Sequence, residues 1–384
     1  MMAGIYIHIP YCRQACHYCN FHFSVSHRHR EDFLQALLKE IRMQQGFFDG
    51  LAAAGDFGGI QTIYLGGGTP SVLGASELMQ LFEGLYKHYP LGQVKEVTLE
   101  ANPDDLDTRK LAALKDTPIN RLSIGIQSFH QPDLTFMNRL HSPAQAVECI
   151  HNALDAGFKN LNVDLIYGTP GMDDQGWEEN LVRVAEMGIR HLSAYALTVE
   201  AKTVLDYMIR KGKMPAPGED QAARQFLLMR RLLGSWAYEH YEVSNFALPG
   251  FRSMHNTAYW SGRPYLGLGP SAHSFLPGHR RWNPPNTSQY IDSIQSGQLP
   301  WEGERLTELQ ALNEYVMTSL RTAWGCQLDV VRRGWGESRL ADIEQAAEKF
   351  LRSGRMVRRD NALILTSEGL FFADGIAADL FLSE

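Results

Sequence analysis

Short apolar runs alternate with longer amphipathic stretches over the first two hundred residues of the chain. Between Phe33 and Ile41 apolar residues recur every three or four positions, which predicts a helix near residues 31–45. We expect Ser76 to cap a second such helix and Ser142 to cap a third. Six apolar runs predict strands at Ile5–Ile9, Thr62–Leu65, Val94–Leu99, Arg121–Ile126, Asn160–Ile166 and His191–Leu197.

Each of the six predicted strands runs into polar or glycine-rich sequence. These ends read IPYC, GGGTP, EANP, GIQSF, DLIYGTP and YALT. Alternating strands and helices are typical of βα units around a parallel sheet, in which the carboxyl ends of the strands share one edge and build the site. Six units rather than eight predict an α/β fold with a partial, open (β/α)6 barrel of the TIM type. An open side would admit a large substrate.

The alternation fades after about residue 200, and the pattern then changes twice. We predict a barrel over residues 1–215, an extension over 216–300 and a small C-terminal α+β domain over 301–384. The extension begins with a helix near 219–234 and continues as irregular, aromatic-rich sequence. The last domain combines helical periodicity with the hairpin-like stretch MVRRDNALILT, so it resembles a winged-helix module. Because both signs of charge are mixed there, we do not expect it to bind nucleic acid.

Composition places the chain among globular proteins, with 44% hydrophobic and 21% charged residues in 384. A formal net charge of -7 provides no overall field that would attract nucleic acid or an anionic membrane. The N-terminus lacks a basic region followed by a long apolar run, and no window approaches the roughly 18 apolar residues of a membrane span. We therefore expect a cytoplasmic protein whose partners are small molecules or other proteins.

The chain has five cysteines, an odd number, and no secretion signal, which argues against a disulfide framework. Cys149 lies within a predicted helix and Cys326 in the C-terminal region, and we expect both to be small apolar fillers. Cys12, Cys16 and Cys19 follow the first strand directly, at C-x3-C-x2-C spacing. Three cysteines within eight residues favour a metal centre. We call residues 12–19 the cysteine loop.

Three thiolates can hold a 4Fe-4S cluster and leave one iron open. That iron can chelate the amino and carboxylate groups of S-adenosylmethionine (SAM), and an electron from the cluster can then break a carbon–sulfur bond to give a 5'-deoxyadenosyl radical. The alternative is a zinc site with His8, His17 or His22 as the fourth ligand. Structural zinc loops usually draw ligand pairs from two separate hairpins, which favours the cluster. Tyr18 within the loop and Phe21 after it could shield a cluster or simply pack in the core.

The cysteine loop, the GGGTP segment and the six strand ends resemble the radical SAM superfamily. Nearly the whole chain resembles the branch of oxygen-independent coproporphyrinogen III oxidases and HemW haem chaperones, and it is most similar to the chaperones. The resemblance implies SAM contacts at Tyr6, Tyr18, Gly67, Gly68, Thr69, Glu100, Gln127, Arg139 and Asp164. Carboxylates can hold ribose hydroxyls or an ammonium group, and an arginine can grip a carboxylate. Taken singly, Glu100 or Arg139 could equally form a surface ion pair.

Two features separate the chain from the oxidases of this branch. The oxidases carry a further cysteine two positions after the triplet, where this chain has Phe21, and an N-terminal arm before the loop, whereas here the first ligand is residue 12. A third feature resembles the chaperones, because His255–Trp260 reproduces their H-N-x-x-Y-W motif. An imidazole can ligate haem iron and aromatic rings can contact the macrocycle. The candidate haem-binding residues are His255, Asn256, Tyr259 and Trp260.

The resemblance implies a haem chaperone that uses a 4Fe-4S cluster and SAM and carries haem as cargo. Its expected partners are haem-accepting proteins such as apo-cytochromes and an electron donor of unknown identity, with peripheral membrane contact only through partner proteins. The alternative is an oxygen-independent coproporphyrinogen III dehydrogenase, whose activity the missing cysteine argues against. A zinc-stabilised interaction protein is a third, non-catalytic hypothesis.

Overall fold

A computed structural model describes residues 1–383 of the chain. The strands are β1 (Ala3–Ile9), β2 (Ile60–Gly67), β3 (Glu96–Ala101), β4 (Arg121–Gln127), β5 (Asn160–Tyr167), β6 (His191–Ala196), β7 (Glu239–Glu242), β8 (Asn245–Ala247), β9 (Tyr265–Leu268), β10 (His273–Leu276), β11 (His279–Trp282), β12 (Glu302–Arg305), β13 (Cys326–Gln327), β14 (Met356–Arg359) and β15 (Ala362–Leu365).

Most of the helices lie between strands along the chain. They are α1 (Arg30–Met43), α2 (Asp49–Ala53), α3 (Ala75–His88), α4 (Thr108–Leu114), α5 (Gln131–Phe136), α6 (Pro143–Asp155), α7 (Asp174–Glu186), α8 (Val204–Arg210), α9 (Glu219–Ser235), α10 (Met254–Trp260), α11 (Thr287–Gln295), α12 (Glu308–Leu320), α13 (Leu328–Arg352), α14 (Ser367–Phe371) and α15 (Ala373–Asp379). Helix α13 breaks at Gly336, whose φ of 87° is not helical.

Strands β1 to β6 form a continuous parallel sheet, which confirms the six predicted strands and the partial open barrel. The full sheet has twelve strands in the order β12-β11-β10-β9-β1-β2-β3-β4-β5-β6-β8-β7. Strand β9 is parallel to β1, and the other added strands are antiparallel to their neighbours. Strand β1 therefore lies between β2 and a strand that comes some 260 residues later in the sequence.

The two faces of the barrel strands differ in chemistry. Successive side chains of a strand point to opposite faces. The outward residues are apolar and pack under the helices, among them Ile5, Ile63 and Leu122, all buried in the main core. The inward residues of the same strands are largely polar, as at Glu100 of β3 and Asp164 of β5. The interior of this barrel is therefore a polar space rather than the apolar core of a closed TIM barrel.

Two local predictions were wrong. The segment after α9, expected to be irregular, contains β7 to β11, because strands of three or four residues are too short to show a clear alternation. Helix α3 is capped by Gly74 rather than Ser76, since the Glu77 carboxylate accepts the Gly74 N–H at 2.5 Å and leaves Ser76 inside the first turn. The other cap was correct, since Ser142 accepts the Gln145 N–H before α6.

The C-terminal region has its own hydrophobic core between α12, α13, α15 and the antiparallel sheet β13-β15-β14. The hairpin predicted from MVRRDNALILT is β14 and β15. Cys326 is buried in this core and Cys149 in the main core, as expected for apolar fillers. The domain boundaries at 215 and 300 stay predictions. Among the helices of residues 1–383, none has the length and apolar character needed to cross a bilayer.

Candidate metal and cofactor site

The carboxyl ends of the barrel strands surround a cavity of about 370 Å³, and we call this the mouth end of the barrel. The cavity wall includes all three cysteines of the cysteine loop together with eight of the nine predicted SAM contacts. These residues are Cys12, Cys16, Cys19, Tyr18, Gly67, Gly68, Thr69, Glu100, Gln127, Arg139 and Asp164. Residues up to 152 positions apart in sequence therefore meet at one place. The common position follows from the parallel arrangement of the strands.

The cysteine loop has no regular secondary structure and is held by the segment after β4. The N–H of His17 donates to the Met137 carbonyl at 3.1 Å, and Asn138 Nδ2 donates to the Ala15 carbonyl at 2.7 Å. On its other side, the N–H of Leu205 in α8 donates to the His17 carbonyl at 2.7 Å. These bonds satisfy backbone groups that a loop cannot pair internally. The loop is thus fixed by its neighbours before any ligand is bound.

Two of the cysteines are joined by a chain of hydrogen bonds through side chains of three strand ends. Thr69 Oγ1 donates to Cys12 Sγ at 3.3 Å, and Asn102 Nδ2 donates to Thr69 Oγ1 at 3.2 Å. Arg139 then donates from Nη2 to Asn102 Oδ1 at 2.6 Å and from Nη1 to Cys16 Sγ at 3.3 Å. Donors aimed at sulfur stabilise the negative charge of a thiolate or of a bound cluster. Asn102, the central member of this chain of hydrogen bonds, was not predicted from the sequence.

The thiols are poorly suited to carry charge on their own. Burial raises the pKa of the Cys12 thiol to about 12 and that of the Cys19 thiol to about 11. A metal centre removes this cost because it replaces the protons as the positive partner of the sulfurs. Three free cysteines around one cavity, with hydrogen-bond donors behind two of them, fit a 4Fe-4S cluster. When bound, such a cluster supplies the electron that cleaves SAM.

The imidazoles proposed as zinc ligands are already engaged elsewhere. His17 Nδ1 contacts the Phe136 carbonyl at 2.9 Å, His8 Nε2 contacts the His22 carbonyl at 2.9 Å, and His22 Nε2 contacts Thr287 Oγ1 at 2.9 Å. Within residues 1–383, no group of three or more histidine, cysteine or acidic side chains is arranged to hold a single metal ion. The positions of these histidines therefore do not favour a zinc site at the three cysteines. A cluster binds each thiolate through a different iron and so accommodates sulfurs spread around a cavity.

Two carboxylates form the floor of the cavity. Glu100 accepts the Tyr64 hydroxyl at 2.7 Å and the Gly67 N–H at 3.2 Å, and Asp164 accepts Asn162 Nδ2 at 2.6 Å. Burial raises the pKa of the Glu100 carboxyl to about 7, against the lowering effect of the Tyr64 hydrogen bond. Burial also raises the pKa of Asp164. A cationic ligand in the cavity would favour the charged form of both groups.

The glycine run contributes shape rather than free backbone donors. The N–H groups of Gly67, Gly68 and Thr69 donate to Glu100, to the Ile9 carbonyl and to the Tyr11 carbonyl. A Cβ atom on Gly68 would lie 2.8 Å from the Tyr11 carbonyl oxygen, so glycine is required where β2 passes the exit of β1. These three backbone N–H groups are therefore already used within the protein. A direct ligand contact from this run stays a prediction.

Gln127 has a strained backbone at the cavity wall. Its φ is 68°, in the left-handed region that non-glycine residues rarely adopt, and the register of β4 against β5 shifts between Gly125 and Gln127. The irregularity places the Gln127 side chain on the cavity wall. Strain of this kind, of order 1–3 kcal/mol, persists where the surrounding structure enforces it, often at ligand sites.

Tyr6 is the predicted SAM contact that does not line the cavity. It lies below the floor, where its ring, the Tyr64 ring and the Glu100 carboxyl group surround Gly66. The Tyr6 hydroxyl is 3.3 Å from His8 Nδ1. Tyr18 does line the cavity and also packs on the small core around Leu134. Its two expected roles, shielding and core packing, are thus compatible.

Several cavity residues had no signal in the sequence that would have identified them. Beside Asn102, these residues are Ser123, Tyr195 and Glu200. The strand ends EANP and YALT pointed to their neighbourhood, but a single polar residue in such a segment does not indicate whether it faces the ligand. Phe21, which occupies the position of the oxidases' extra cysteine, is 67% exposed at the rim.

The H-N-x-x-Y-W motif lies at the opposite end of the barrel. It forms α10, which covers the amino ends of β1 and β2, and we call this the closed end. Glu96, the first residue of β3, accepts the N–H groups of Met254 and His255 at 3.0 and 2.9 Å and the Ser253 hydroxyl at 3.3 Å. These bonds fix the start of α10.

The four candidate haem-binding residues lie together on α10 but differ in accessibility. His255 Nδ1 contacts Thr62 Oγ1 at 2.8 Å, and its ring lies 5.0 Å from the Tyr64 ring. Trp260 packs under the Arg321 guanidinium at 5.0 Å, while Tyr259 is 46% exposed. The backbone N–H of Asn256 donates to Oγ of Ser253, the N-cap of α10, at 3.2 Å. The structure does not bring this motif to the cysteine loop.

Comparison with known proteins gives consistent results at three levels. The model of the radical SAM superfamily matches residues 6–184. The chain is 33% identical over 382 residues to heme chaperone HemW of Mycobacterium tuberculosis, covering 98% of this chain and 94% of that protein. It is 30% identical over 371 residues to heme chaperone HemW of Bacillus subtilis, covering 96% of each. It is also 32% identical to mouse mitochondrial radical S-adenosyl methionine domain-containing protein 1, covering 98% of this chain and 87% of that protein.

Among solved structures, coproporphyrinogen III oxidase (HemN) from Escherichia coli superimposes with a TM-score of 0.84 at 22% identity, covering 99% of this chain and 90% of that chain. At that identity the likeness concerns the fold alone. The sequence relatives support assignment to a family, because they are 30% or more identical to this chain over nearly its whole length. The chain therefore belongs to the radical SAM superfamily, in the branch of HemW and coproporphyrinogen III oxidase, and to the family of HemW within it.

Proposed function

We propose that the protein is a haem chaperone that binds haem and delivers it to acceptor haem proteins, such as apo-cytochromes, with the help of a 4Fe-4S cluster and SAM. The observation that carries this proposal is the extent of the similarity to proteins named heme chaperone HemW. It covers 96–98% of the chain, including the barrel, α10 and the C-terminal domain. A similarity limited to the barrel would support radical SAM chemistry only.

The mouth end supports the cluster and SAM part of the proposal. Cys12, Cys16 and Cys19 would hold the cluster, with Arg139 and Thr69 donating hydrogen bonds to two of the sulfurs. Glu100 and Asp164 would receive the ammonium group or the ribose hydroxyls of SAM from below. The aromatic rim, including Phe21, would limit the access of water to these groups.

The closed end supports the haem part. Burial lowers the pKa of His255 to about 3, so the imidazole is neutral at physiological pH, which is the form that ligates iron. Because Nδ1 is engaged with Thr62, Nε2 is the nitrogen that would bind haem iron. The Tyr64 ring lies against the imidazole, so haem binding there would require α10 to move away from β2. Tyr259, already exposed, would contact the macrocycle first.

Titration of the purified protein with haem tests the proposal. We expect a shifted Soret band and a complex that survives gel filtration, and we expect His255→Ala to change the spectrum. His151→Ala removes an exposed imidazole on α6 and serves as the matched control, with an unchanged spectrum expected. Failure of the parent protein to retain haem would refute the chaperone function. An unaltered spectrum in His255→Ala alone would refute only the choice of ligand.

The rival function is oxygen-independent coproporphyrinogen III dehydrogenase, which the fold likeness to the E. coli oxidase keeps in consideration. An anaerobic assay with reconstituted protein, SAM and a reductant distinguishes the two functions. We expect release of 5'-deoxyadenosine at most and no protoporphyrinogen. Appreciable porphyrinogen turnover would favour the enzyme. Iron and sulfide analysis of the same sample tests the third hypothesis, since a zinc protein would contain neither in stoichiometric amounts.

The remaining expectations concern the surroundings of the protein. The electron donor, the acceptor proteins, the cytoplasmic location and membrane contact through partners stay predictions. Pull-down of haem-loaded protein from cell extract, compared with haem-free protein, would identify acceptors by their dependence on haem.

A further inference from the structure

Arg121 occupies an unusual position inside the barrel. It is the first residue of β4, its side chain points inward, and it is 1% exposed. None of its three guanidinium nitrogens has a hydrogen-bond partner among the described residues. A guanidinium carries five N–H donors and keeps its charge at any physiological pH. Burying such a group without direct partners is costly, so its charge must be balanced by groups nearby.

The strand register places Glu100 beside Ser123 and Asp164 beside Gly125, which lie two and four residues beyond Arg121 on the same inward face of β4. Ionisable groups of six elements around the barrel axis lie within reach of the Arg121 charge. They are Tyr64 of β2, Glu100 of β3, Asp164 of β5, His191 of β6, Tyr241 of β7 and His255 of α10. The two tyrosines and two histidines are neutral near pH 7, because burial raises the pKa of the former and lowers that of the latter. Glu96 is occupied by the donors of α10, and Glu242 is paired with Arg321. The charge facing Arg121 is thus that of Glu100 and Asp164.

The negative charges of those two carboxylates repel each other. Both are buried, and the charge on Asp164 disfavours ionisation of Glu100. Arg121 acts in the opposite sense on both, since its positive charge lowers the pKa of each. Arg139, the other arginine at this end, is committed to Asn102, the Gly125 carbonyl and Cys16. None of these hydrogen bonds goes to Glu100 or Asp164.

We propose that Arg121 is a positioning residue whose buried charge keeps Glu100 and Asp164 together as an anionic floor for a cationic ligand in the cavity. Arg121 does not touch that ligand, because the cavity is lined by Ser123 and Gly125 of β4 and not by Arg121. The inference concerns the ligand contacts of the proposed function and so rests on SAM as the ligand. SAM fits an anionic floor, since its sulfonium and ammonium groups outweigh its one carboxylate and leave a net charge of about +1.

The test compares Arg121→Met with Arg121→Lys and the parent protein. The first readout needs no ligand: infrared difference spectra follow the protonated carboxyl band as a function of pH, with Glu100→Gln and Asp164→Asn used to assign it. The second readout is the pH dependence of SAM binding by equilibrium dialysis of the anaerobically reconstituted protein. In the methionine variant we expect both midpoints to move upward by about one pH unit. In the lysine variant, which keeps the charge, we expect them to stay close to the parent values.

Each outcome decides between the alternatives. An unchanged carboxyl midpoint in Arg121→Met would overturn the proposal. If Arg121→Met and Arg121→Gln both fail to fold while Arg121→Lys folds, the interior requires the positive charge, and the proposal stands. If Arg121→Lys also fails to fold, the shape of the arginine side chain is what matters, and the proposal fails. If the parent protein binds no SAM, the proposed ligand is wrong, but the infrared titration still decides whether Arg121 controls the two carboxyls.

Discussion

The two ends of the barrel use similar residues in opposite ways. At the closed end, Glu96 accepts three hydrogen bonds, from the capping residue Ser253 and from the first two residues of α10, so its carboxylate is engaged by the protein. At the mouth end, Glu100 lies four residues further along the same strand and faces a cavity of about 370 Å³. One carboxylate fixes the start of α10, and the other is the one that we propose receives a ligand. On this proposal, a single strand serves stability at its start and binding at its end.

The same contrast separates the two proposed ligands. On strand β2, Thr62 contacts His255 and Gly67 lies beside the cysteine loop. The two residues are five positions apart, which corresponds to about 16 Å at roughly 3.3 Å per residue. Haem held by His255 would thus lie on the far side of the barrel interior from the cluster. The two activities should be separable by mutation, and the following experiments test that separation.

Cys16→Ser should produce the largest effect and should affect only the mouth end. Two thiolates cannot hold a four-iron cluster, so we expect iron and sulfide after anaerobic reconstitution to fall to background, while haem binding persists. Cys149→Ser, which alters a buried cysteine of α6, is the control and should keep its cluster. Equal cluster content in Cys16→Ser and the parent would contradict the ligand assignment. Loss of haem binding together with the cluster would contradict the separation of the two ends.

Glu96→Gln should weaken the closed end selectively. The substitution removes the charge that attracts the first N–H groups of α10, with an expected cost of about 1–3 kcal/mol. Hydrogen exchange of the α10 amides should accelerate by about tenfold or more, since 1.4 kcal/mol corresponds to a factor of ten. Glu302→Gln, on the exposed edge strand β12, is the matched control. Slower or unchanged exchange in α10 would show that Glu96 does not hold it.

Asn102→Ala should loosen the mouth end without changing the cluster ligands. It breaks the chain of hydrogen bonds between Cys12 and Cys16, and one such bond contributes about 1 kcal/mol. We expect the cluster to be lost to a chelator about five times faster than in the parent. Asn152→Ala, a change on α6, should have no effect. An unchanged rate would mean that Arg139 and Thr69 hold their positions without Asn102.

His191 gives the smallest predicted effect, a change in the pH dependence of stability. Burial lowers the pKa of His191 well below its usual value, so below pH 6.5 the unfolded chain binds a proton that the folded protein does not. Stability is therefore lost as the pH falls through the unfolded pKa, by about 0.7 kcal/mol from pH 7 to pH 6. Urea denaturation of His191→Gln should show a flatter slope over this range. His151→Gln, at an exposed position, should retain the slope of the parent.

The sequence was sufficient to predict the mouth end because each element there carries its own signal. The apolar strands ended in polar segments and the cysteine spacing marked the loop, so the strand ends and the cysteines could be placed together before the fold was seen. The resemblance to the radical SAM superfamily then singled out Glu100 and Asp164 among the strand-end residues. Parallel strands bring such ends to one edge whatever the details of the loops. The mouth end was thus a consequence of local patterns repeated six times.

The closed end could not be predicted in this way. The motif of α10 was visible in the sequence, but its place depends on Glu96 and Thr62, which lie 158 or more residues earlier. No local pattern indicates such a contact. Asn102 and Arg121 were missed for a related reason, because their roles come from neighbours on other strands rather than from their own segments.

The place of β1 in the sheet has a consequence for biosynthesis. Strand β1 leads directly into the cysteine loop, yet one of its two edges pairs with β9, which begins at Tyr265. While the ribosome is still making the intervening residues, a nascent chain exposes that edge of β1 to other strands. The cysteine loop is thus synthesised early, but it follows a strand whose second edge is paired only after β9 has been made. Loading of iron and sulfide should accordingly follow release of the finished polypeptide rather than accompany its translation.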